Sequence, residues 1–483
     1  MIFKRFYDDN LAQASFLLGC EKSRTAVVID PTTDVQLYVE AATREKLTIT
    51  HITETHVHAD FLSGGADLAA ATGAQLALSA EAGPPWGYDF GSAKTARPLR
   101  SGEKIVAGTV TLLAVHTPGH TPEHLAFLVM DEARGTTPVG ALTGDFIFVG
   151  DVGRPDLLER VAGAKGTMRE SAVTLFKSLQ AFRAQPDHLQ IWPGHGAGSA
   201  CGKALGSMPS TTLGYEKLFN WAFRTQSEQE FVEEVLKDQP VPPRYFAEMK
   251  RRNRLATTTA KPRAVPQLSP DSVAAALLGG ATIVDARPAK IFGEGHIPGT
   301  LNVPLGKSFL NWMGALVDYG RELIVILPVG GDAEELVKKV SADIHKIGIE
   351  RLTGWLGEDA IVAWRKTHGK LQMVPQLGIQ ELHGTGSASG VRIIDVRAPH
   401  EWAEGHLPGA IHIPLASLPE RAAELAASAG GPIAIHCRGG GRSSIASSLL
   451  QAHGVAQVMN VTEGYEGWVA AGYPIDRDEK SER

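Results

Sequence analysis

The sequence predicts an α/β protein of about three domains. Its 483 residues correspond to about three domains at roughly 150 residues each. The β-branched run Leu47–Ile52 predicts a strand that leads directly into a polar loop. Two segments nearer the C-terminus repeat one pattern of strands alternating with helical stretches, which favours small parallel α/β domains. Hydrophobic residues at 43% and charged residues at 21% are ordinary for a globular protein with sizeable cores.

The loop that follows the strand Leu47–Ile52 contains the most informative motif. His56, His58 and Asp60 lie close together there, so that two imidazoles and a carboxylate can face one cation. A loop leaving the end of a strand is where a rigid scaffold usually presents its ligands. The alternative is a polar strand end with solvated histidines, because short motifs often occur by chance.

Three later segments add further metal-binding side chains. His120 lies in a Pro/Gly turn, Asp145 follows a small-residue turn, and His195 stands between two glycines. Each segment taken alone would be an ordinary turn. In this order and spacing, and after the first motif, they resemble the metallo-β-lactamase superfamily. The resemblance covers roughly residues 1–250 and implies a metal-binding αββα sandwich.

Phe61 departs from the pattern of that superfamily. Its hydrolases, including the glyoxalase II group, typically hold two metals and have a histidine of the second site at this position. Phenylalanine has no lone pair and cannot bind a metal. We therefore expect a single metal.

With a single metal, the outline is similar to that of the persulfide dioxygenases. That resemblance implies iron ligands at His56, His120 and Asp145, which together make the facial triad of non-haem Fe(II) oxygenases. Nearby residues that would be remnants of a second site are His58, Asp60 and His195. The resemblance thus implies one Fe(II) per chain, with zinc as the alternative.

Arg154 ends a glycine-rich stretch that also resembles the persulfide dioxygenases. We carry it over as a candidate for holding the anionic part of the substrate. The alternative is an arginine paired with Asp151 or Asp156, because such ion pairs are common.

A composition change and an internal repeat mark the domains. Thr257–Pro266 lacks periodicity and indicates a linker. Beyond it, Asp395 lies 110 positions after Asp285, and His406 lies 110 positions after His296. We expect domains over 1–250, 268–372 and 376–480, with a linker over 251–267.

Both copies of the repeat resemble rhodanese (sulfurtransferase) domains. In the second copy, a strand ends in the loop Cys437–Arg442, and a helix is expected to follow. Sulfur transfer needs a thiolate nucleophile, which Cys437 provides. The candidate anion-binding residues around it are Arg438, Gly439, Gly440, Gly441 and Arg442, the glycines through backbone amides and Arg442 through a permanent charge.

The alternatives for this loop are a buried inert cysteine and the longer loop of cysteine-based phosphatases and arsenate reductases. In the first copy, Leu327 and Asp332 stand where Cys437 and Arg442 stand in the second. We therefore expect the first copy to be catalytically silent.

The cysteines give two further expectations. Cys201 lies six residues after His195, so it could approach the metal pocket and bind substrate sulfur, or it could be a small buried hydrophobe. Three cysteines are an odd and sparse set, which favours a reducing cytoplasm over a disulfide framework.

Charge and hydropathy exclude other classes of partner. The net charge is −6, and Lys250–Arg254 forms the one basic cluster, which we expect to be a solvated helix end or linker and not a nucleic-acid patch. No apolar run approaches the ~20 residues that a membrane-spanning helix needs. We therefore expect neither nucleic acid nor a membrane as partner.

Together the resemblances imply a persulfide dioxygenase–sulfurtransferase fusion. Its iron centre would oxidise a small-molecule persulfide with O2 to sulfite and thiol, and Cys437 would interconvert persulfide plus sulfite and thiosulfate plus thiol. Such families typically form homo-oligomers. One alternative is a zinc-dependent glyoxalase II-type hydrolase fused to a sulfur-carrier rhodanese, and another is a sulfur-carrier protein with a degenerate metal domain. The thiol carrier stays open.

Overall fold

A computed structural model describes residues 1–161, 163–203, 205–260, 263–328, 330, 332–385, 390–427 and 431–477. The chain forms two compact units. The first consists of 1–261 together with 342–348, and the second of 262–341 and 349–483. The short stretch 342–348 thus groups with the first unit, whereas the sequence placed it in the domain 268–372. Within the described ranges, no helix is both long and apolar enough to cross a membrane.

The first unit contains two mixed β-sheets of six strands each. The strands of the first sheet, in their order across the sheet, are β1 (Ile2–Asp8), β2 (Gln13–Cys20), β3 (Thr25–Ile29), β4 (Thr48–Thr53), β5 (Gln75–Ser79) and β6 (Arg97–Leu99). The strands of the second sheet, again in their order across it, are β7 (Lys104–Ala107), β8 (Val110–His116), β9 (Leu125–Asp131), β10 (Gly140–Gly144), β11 (Gln190–Pro193) and β12 (Thr211–Thr212).

Helices cover the outer faces of these two sheets. The helices of the first unit are α1 (Val35–Arg44), α2 (Gly65–Thr72), α3 (Leu157–Arg160), α4 (Thr167–Phe182), α5 (Leu213–Phe219), α6 (Trp221–Arg224), α7 (Glu228–Leu236) and α8 (Tyr245–Asn253). Phe16 of β2 and Phe127 of β9 share one buried cluster, so the sheets pack face to face. Tyr38 of α1 packs on the other side of the first sheet, and Leu175 of α4 on the other side of the second. These layers confirm the predicted αββα sandwich.

The second unit contains two smaller parallel sheets. The first has the strands β13 (Thr282–Asp285), β14 (Leu301–Asn302), β15 (Leu323–Ile326) and β16 (Leu352–Leu356), in the order β14-β13-β15-β16. The second has the strands β17 (Gln376–Leu377), β18 (Arg392–Asp395), β19 (Ile411–His412), β20 (Ile433–His436) and β21 (Val458–Val461), in the order β17-β21-β20-β18-β19. Every strand pair recorded in these two sheets is parallel, as predicted.

Helices connect the strands of both small sheets. Those near the first are α9 (Pro270–Leu278), α10 (Ala289–Glu294), α11 (Phe309–Leu316), α12 (Ala333–Lys346) and α13 (Asp359–Thr367). Those near the second are α14 (Ile379–Thr385), α15 (Pro399–Ala403), α16 (Leu418–Ala427), α17 (Gly441–Ala452) and α18 (Gly464–Ala470). A strand followed by a helix and then by a parallel strand is the arrangement that such crossovers require.

The repeat in the sequence corresponds to a repeat in buried ion pairs. Asp285, the last residue of β13, and Arg287 form a bidentate pair, and Arg287 also donates to the carbonyl of Gly295 at 3.0 Å. Asp395, the last residue of β18, and Arg397 repeat this arrangement, with the carbonyl of Gly405 at 2.8 Å. The two halves of the second unit are therefore built on the same local design.

Candidate metal centre and thiol loop

Four strand ends and loops of the sandwich place metal-binding side chains. His56 follows β4, His120 lies between β8 and β9, Asp145 follows β10 and His195 follows β11. All four side chains are at most 2% exposed. Nitrogen and carboxylate oxygen atoms of His56, His120 and Asp145 lie within 4.8 Å of one another. The structure thus brings together the three residues that the resemblance implied as ligands.

The inner nitrogens of both histidines face the same carboxylate oxygen. Asp145 Oδ2 lies 3.5 Å from His120 Nε2 and 3.9 Å from His56 Nε2. The other ring nitrogen of His120, Nδ1, lies 2.9 Å from the carbonyl oxygen of Arg154, to which it donates a hydrogen bond. Nδ1 of His56 lies 3.0 Å from the hydroxyl of Thr55. Such outer contacts fix ring orientation and leave Nε2 free for a metal.

The electrostatics of this group also suit a cation. Burial lowers the pKa of His56 well below its usual value, and the neighbouring imidazoles of His58 and His120 push it the same way. Burial likewise lowers the pKa of His120. Burial raises the pKa of Asp145 to about 6, against the opposing effect of His195. Neutral imidazoles clustered around a buried carboxylate are the protonation states that metal ligands need.

The carboxylate of Asp145 gives a further reason to expect a bound metal. Neither carboxylate oxygen of Asp145 has a hydrogen-bond partner among the residues that the structure describes. A buried carboxylate without partners is costly, and a coordinated cation removes that cost. His56, His120 and Asp145 would hold the metal.

His58 does not join this group. Its Nε2 lies 3.0 Å from Asp30 Oδ1, and its ring packs on Phe61 at 4.4 Å between centroids. Burial alone would lower the pKa of His58, but the charge of Asp30 and its hydrogen bond raise it to about 9. His58 is thus turned toward Asp30, and Phe61 occupies the space beside it.

A second group of donors lies next to the first. Asp60, His195 and Cys201 are buried and offer ligand atoms within 4.8 Å of one another. His195 Nε2 lies 3.3 Å from Asp60 Oδ2 and 3.4 Å from Asp145 Oδ1, so Asp145 lies between the two groups. Burial raises the pKa of the Cys201 thiol well above its usual value, and Asp60 and Asp145 add to this. The sequence placed Cys201 near the metal pocket, but it did not indicate that Cys201 completes a donor group with Asp60 and His195.

Sequence reasoning also missed the residues that support the metal loop. His124 Nε2 accepts a hydrogen bond from the backbone N–H of Asp145 at 3.2 Å. The hydroxyl of Tyr88 donates to the carbonyl oxygen of His56 at 2.7 Å. The side-chain amide of Asn253 donates to the carbonyl oxygens of His58 and Phe61 at 2.8 and 2.7 Å. Only His124 had a local signal, since it lies four residues after His120 in the same turn.

Arg154 is engaged in a buried ion pair. Its guanidinium donates twice to Asp156 at 2.7 Å and also to the carbonyl oxygens of Ala200 and Pro240. The side chain is fully buried. These contacts correspond to the alternative pairing with Asp156. They occupy the guanidinium N–H groups that would otherwise hold the anionic part of a substrate. Its backbone carbonyl, as the acceptor for His120, is what reaches the metal group.

The thiol loop lies at the end of β20 in the second unit. Cys437 is 2% exposed, and the hydroxyl of Ser443 lies 3.6 Å from its sulfur. Gly440 has a φ of +90° and precedes α17, and a side chain there would collide with the carbonyl oxygen of Thr462. Glycine is needed at this position because other residues rarely adopt this backbone conformation. The loop therefore places Cys437 beside the first turn of a helix, whose positive end favours a bound anion.

Two arginines of this loop are paired with carboxylates. Arg442 donates twice to Glu401, at 2.6 and 2.7 Å. Arg438 donates to Glu466 at 2.6 Å, and both of these side chains are exposed. Their positive charges therefore stand beside the loop but are partly neutralised by carboxylates.

The corresponding strand of the first copy ends differently. Leu327 is fully buried at the end of β15. Asp332 accepts backbone hydrogen bonds from Glu334 and Glu335 at 3.0 and 3.2 Å, at the start of α12. Residues 329 and 331 lie outside the described ranges. At the two compared positions, the first copy thus presents an apolar side chain and a helix-capping carboxylate, with neither a thiol nor a cation.

Comparisons with known proteins match two separate parts of the chain. Residues 9–195 match the Metallo-beta-lactamase superfamily, and residues 379–471 match the Rhodanese-like domain. The solved structure of a metallo-beta-lactamase from Staphylococcus aureus subsp. aureus COL is 41% identical to this chain, with a TM-score of 0.68. That match covers 74% of this chain and 99% of the other.

Curated relatives match parts of the chain. A hydroxyacylglutathione hydrolase from Rhodospirillum rubrum is 28% identical over 181 residues, which cover 37% of this chain and 60% of the hydrolase. The mitochondrial persulfide dioxygenase ETHE1 of Bos taurus is 26% identical over 202 residues, which cover 40% of this chain and 68% of that protein. A sulfurtransferase from Allochromatium vinosum is 34% identical over 85 residues, which cover 18% of this chain and 78% of that protein. This chain spans 60%, 51% and 38% of the length of three of its curated relatives.

Proposed function

Because the chain belongs to the metallo-β-lactamase superfamily and carries a C-terminal rhodanese-like domain, we propose that it is a persulfide dioxygenase and sulfurtransferase. The first activity oxidises a low-molecular-weight persulfide with O2 at a single iron. One persulfide, one O2 and one water give the free thiol, sulfite and two protons. The second activity moves sulfane sulfur through Cys437.

Two features of the metal site together support the dioxygenase activity. His56, His120 and Asp145 converge, and Phe61 packs against His58 where a further histidine ligand would be needed for a two-metal hydrolase. Two histidines and one carboxylate suit Fe(II) and leave open positions for two reactants. Bound iron would supply the oxygen chemistry that the protein side chains lack.

The residues around the metal group orient it and exclude water. The carbonyl of Arg154 and the hydroxyl of Thr55 hold the rings of His120 and His56 in place. Phe61 and Phe148 are fully buried beside His58 and His195. A dry, fixed site strengthens the electrostatic contacts on a bound anion and limits side reactions.

The second activity follows from the loop around Cys437. Its thiolate attacks the outer sulfur of a persulfide, the S–S bond of the donor breaks, and the donor leaves as a thiol with the proton. Sulfite then attacks the sulfur carried by Cys437, which forms thiosulfate and restores the thiolate. The start of α17 favours the thiolate and the bound oxyanion.

The test is oxygen consumption by the iron-loaded full-length chain on a panel of persulfides, together with measured sulfite and thiosulfate. His120→Ala should abolish oxygen consumption, since it removes an iron ligand. Cys437→Ser should leave oxygen consumption intact and abolish thiosulfate formation, so sulfite should accumulate. Cys20→Ser, which changes a buried cysteine of the first unit, should preserve both.

A zinc-dependent thioesterase of the glyoxalase II type is the second candidate. The adjacent donors Asp60, His195 and Cys201 favour it, because they could hold another cation, and so does the similarity to hydroxyacylglutathione hydrolase. It requires two tightly bound zinc ions per chain and thioester cleavage without oxygen consumption. That result would overturn the dioxygenase proposal.

We also infer a reducing compartment, such as the cytoplasm, for this protein. Cys20, Cys201 and Cys437 are all free and buried, and free thiols persist where cellular reductants keep them reduced. Assembly into a homo-oligomer stays a prediction, which the mass of the protein in solution tests.

A further inference from the structure

The helix that follows the thiol loop is buried along most of its length. α17 begins at the last glycine of that loop, and every residue from Ser443 to Gln451 is buried. The helix contacts β20 and β21 of its own sheet and, in addition, α10 and β14 of the first copy. A surface helix buries a single face, so burial all round means that α17 is covered on more than one side. The first copy, although expected to be silent, therefore forms part of the surroundings of the thiol loop.

Asn302 connects the first copy to this helix through two hydrogen bonds. It is the last residue of β14, which lies at the edge of its sheet, and it is fully buried. Its backbone N–H donates to the hydroxyl of Ser448 at 2.9 Å, and its side-chain oxygen accepts from the hydroxyl of Ser444 at 3.4 Å. Ser444 and Ser448 are four residues apart, so they lie on the same face of α17. An edge strand leaves backbone groups unpaired, and α17 covers one of them here.

The first copy holds Asn302 in place. Its side-chain amide donates to the carbonyl oxygens of Asp285 and Arg287 at 2.9 and 3.0 Å. The position 110 residues later is His412, and the Nε2 atom of His412 lies 2.9 Å from the carbonyl oxygen of Arg397. Both copies thus tie this strand end to the arginine of their buried ion pair. In the first copy the same residue also reaches α17, so this copy keeps a fixed anchor for the helix without having the thiol.

The anchored turn of α17 lies next to the thiol. The hydroxyl of Ser443 donates to the sulfur of Cys437 at 3.6 Å, and the backbone N–H of Ser444 donates to the carbonyl oxygen of Gly440 at 3.2 Å. A shift or rotation of α17 would move this hydroxyl and the positive end of the helix away from the sulfur. A misplacement of about 1 Å can cost about a hundredfold in rate. Whatever fixes α17 therefore affects the reaction at Cys437.

We propose that Asn302 is a positioning residue for sulfur transfer, which fixes α17 through Ser444 and Ser448 and so holds the thiol loop where Cys437 can react. The inference rests on the proposed sulfurtransferase activity and deepens it, because it gives the silent first copy a part in the reaction. The reaction itself is unchanged: the S–S bond of the persulfide breaks, the outer sulfur passes to Cys437 and the donor leaves as a thiol.

Three matched serine variants of α17 test this role in the full-length chain. Ser444→Ala and Ser448→Ala each remove a hydroxyl that contacts Asn302, whereas Ser447→Ala removes one that donates to the carbonyl oxygen of Ser443 within the helix, at 2.8 Å. Thiosulfate formation is measured with glutathione persulfide and sulfite in the absence of oxygen. Ser444→Ala, Ser448→Ala and Asn302→Ala should lower kcat about three- to tenfold, the range of one hydrogen bond, and leave KM for sulfite within about twofold. Ser447→Ala should keep the wild-type kcat.

A double variant tests whether Asn302 acts through Ser444. Changing Asn302→Ala and Ser444→Ala together should lower kcat no further than Asn302→Ala alone, because both changes remove one shared contact. If the double variant instead lost the product of the two single effects, the proposed route through Ser444 would be overturned. Ser448→Ala keeps the role of Asn302 testable where Asn302→Ala does not fold.

Hydrogen exchange separates this inference from the proposed function. The backbone amides of α17 should exchange faster in Asn302→Ala and Ser448→Ala than in the wild type, and at an unchanged rate in Ser447→Ala, whether or not the protein transfers sulfur. A wild-type chain that forms no thiosulfate would refute the sulfurtransferase activity and with it the role of Asn302. Faster exchange in α17 with kcat unchanged would make Asn302 a purely structural residue and overturn the proposal alone, as would an equal loss of kcat in Ser447→Ala.

Discussion

At the scale of single residues, the metal centre depends on which nitrogen of each histidine stays free. His120 is held at its outer nitrogen by a backbone carbonyl, and His56 by a threonine hydroxyl. Burial keeps both rings neutral, because it lowers their pKa values well below the usual range. The two rings are therefore prepared for a metal before it binds, which lowers the cost of binding.

Metal content tests which donors matter. We expect one iron per chain, because Phe61 contributes no ligand and two histidines with one carboxylate make the facial triad of Fe(II) oxygenases. His120→Ala should lose the iron, whereas Cys201→Ala should keep it within experimental error. Elemental analysis of both variants and the wild type gives the answer. Two metal ions in the wild type, with the second lost in Cys201→Ala, would show that Asp60, His195 and Cys201 form a second site.

The sequence identified those residues whose chemistry is visible in short motifs. His56 follows a predicted strand, His120 lies in a predicted turn and Asp145 follows another. The resemblance to the metallo-β-lactamase superfamily implied that they converge. Cys201 and Asn253 could not be identified in the same way, because their roles depend on distant parts of the chain. Cys201 lies beside Asp145, which is 56 positions earlier, and Asn253 donates to the carbonyl oxygen of Phe61, which is 192 positions earlier. Long-range contacts of this kind are fixed by packing and leave no local pattern.

At the scale of elements, α8 supports the metal loop from its buried face. Its buried residues are Tyr245, Phe246, Met249, Lys250 and Asn253. Their spacing of three, four and one is that of one helical face. The sequence predicts that the cluster Lys250–Arg254 is solvated, but Lys250 and Asn253 are buried, because the helical period places them on the same face as Phe246 and Met249. The helical spacing therefore predicts the burial of Lys250 and Asn253 better than their polar side chains do.

Asn253→Ala tests the support that α8 gives to the metal loop. The change removes two hydrogen bonds to the carbonyl oxygens of His58 and Phe61 and one from the N–H of Ser63. The buried carbonyls would lose their partners, so we expect the free energy of unfolding of the first unit to fall by about 1–3 kcal/mol and iron to dissociate faster. Denaturant unfolding and timed chelation measure the two effects. Arg251→Ala, on the exposed face of the same helix, should change neither, and equal losses in both variants would contradict the assigned role.

At the scale of the whole molecule, the sequence predicted the order of architectures but not every boundary. The αββα sandwich and two parallel α/β folds follow one another as expected. The exception is 342–348, which groups with the first unit. Lys346 explains this, because its ammonium pairs with Asp8 at 2.7 Å and its carbonyl accepts the N–H of Leu62 at 2.6 Å. A lysine at a helix end carries no sequence signal for a partner 338 positions away.

The division into two units predicts a selective response to metal removal. A ligand that binds only the folded state stabilises the unit that contains its site, by an amount that grows with ligand concentration over Kd. All residues of both donor groups belong to the first unit. Removing iron with a chelator should therefore lower the Tm of one calorimetric transition and leave the other in place.

Gly464→Ala identifies the second transition, because the glycine has a φ of +57° and a side chain there would collide with the carbonyl oxygen of Cys437. His120→Ala should already show the lower Tm and should not respond to the chelator, whereas an equal shift of both transitions would mean that the two units unfold together.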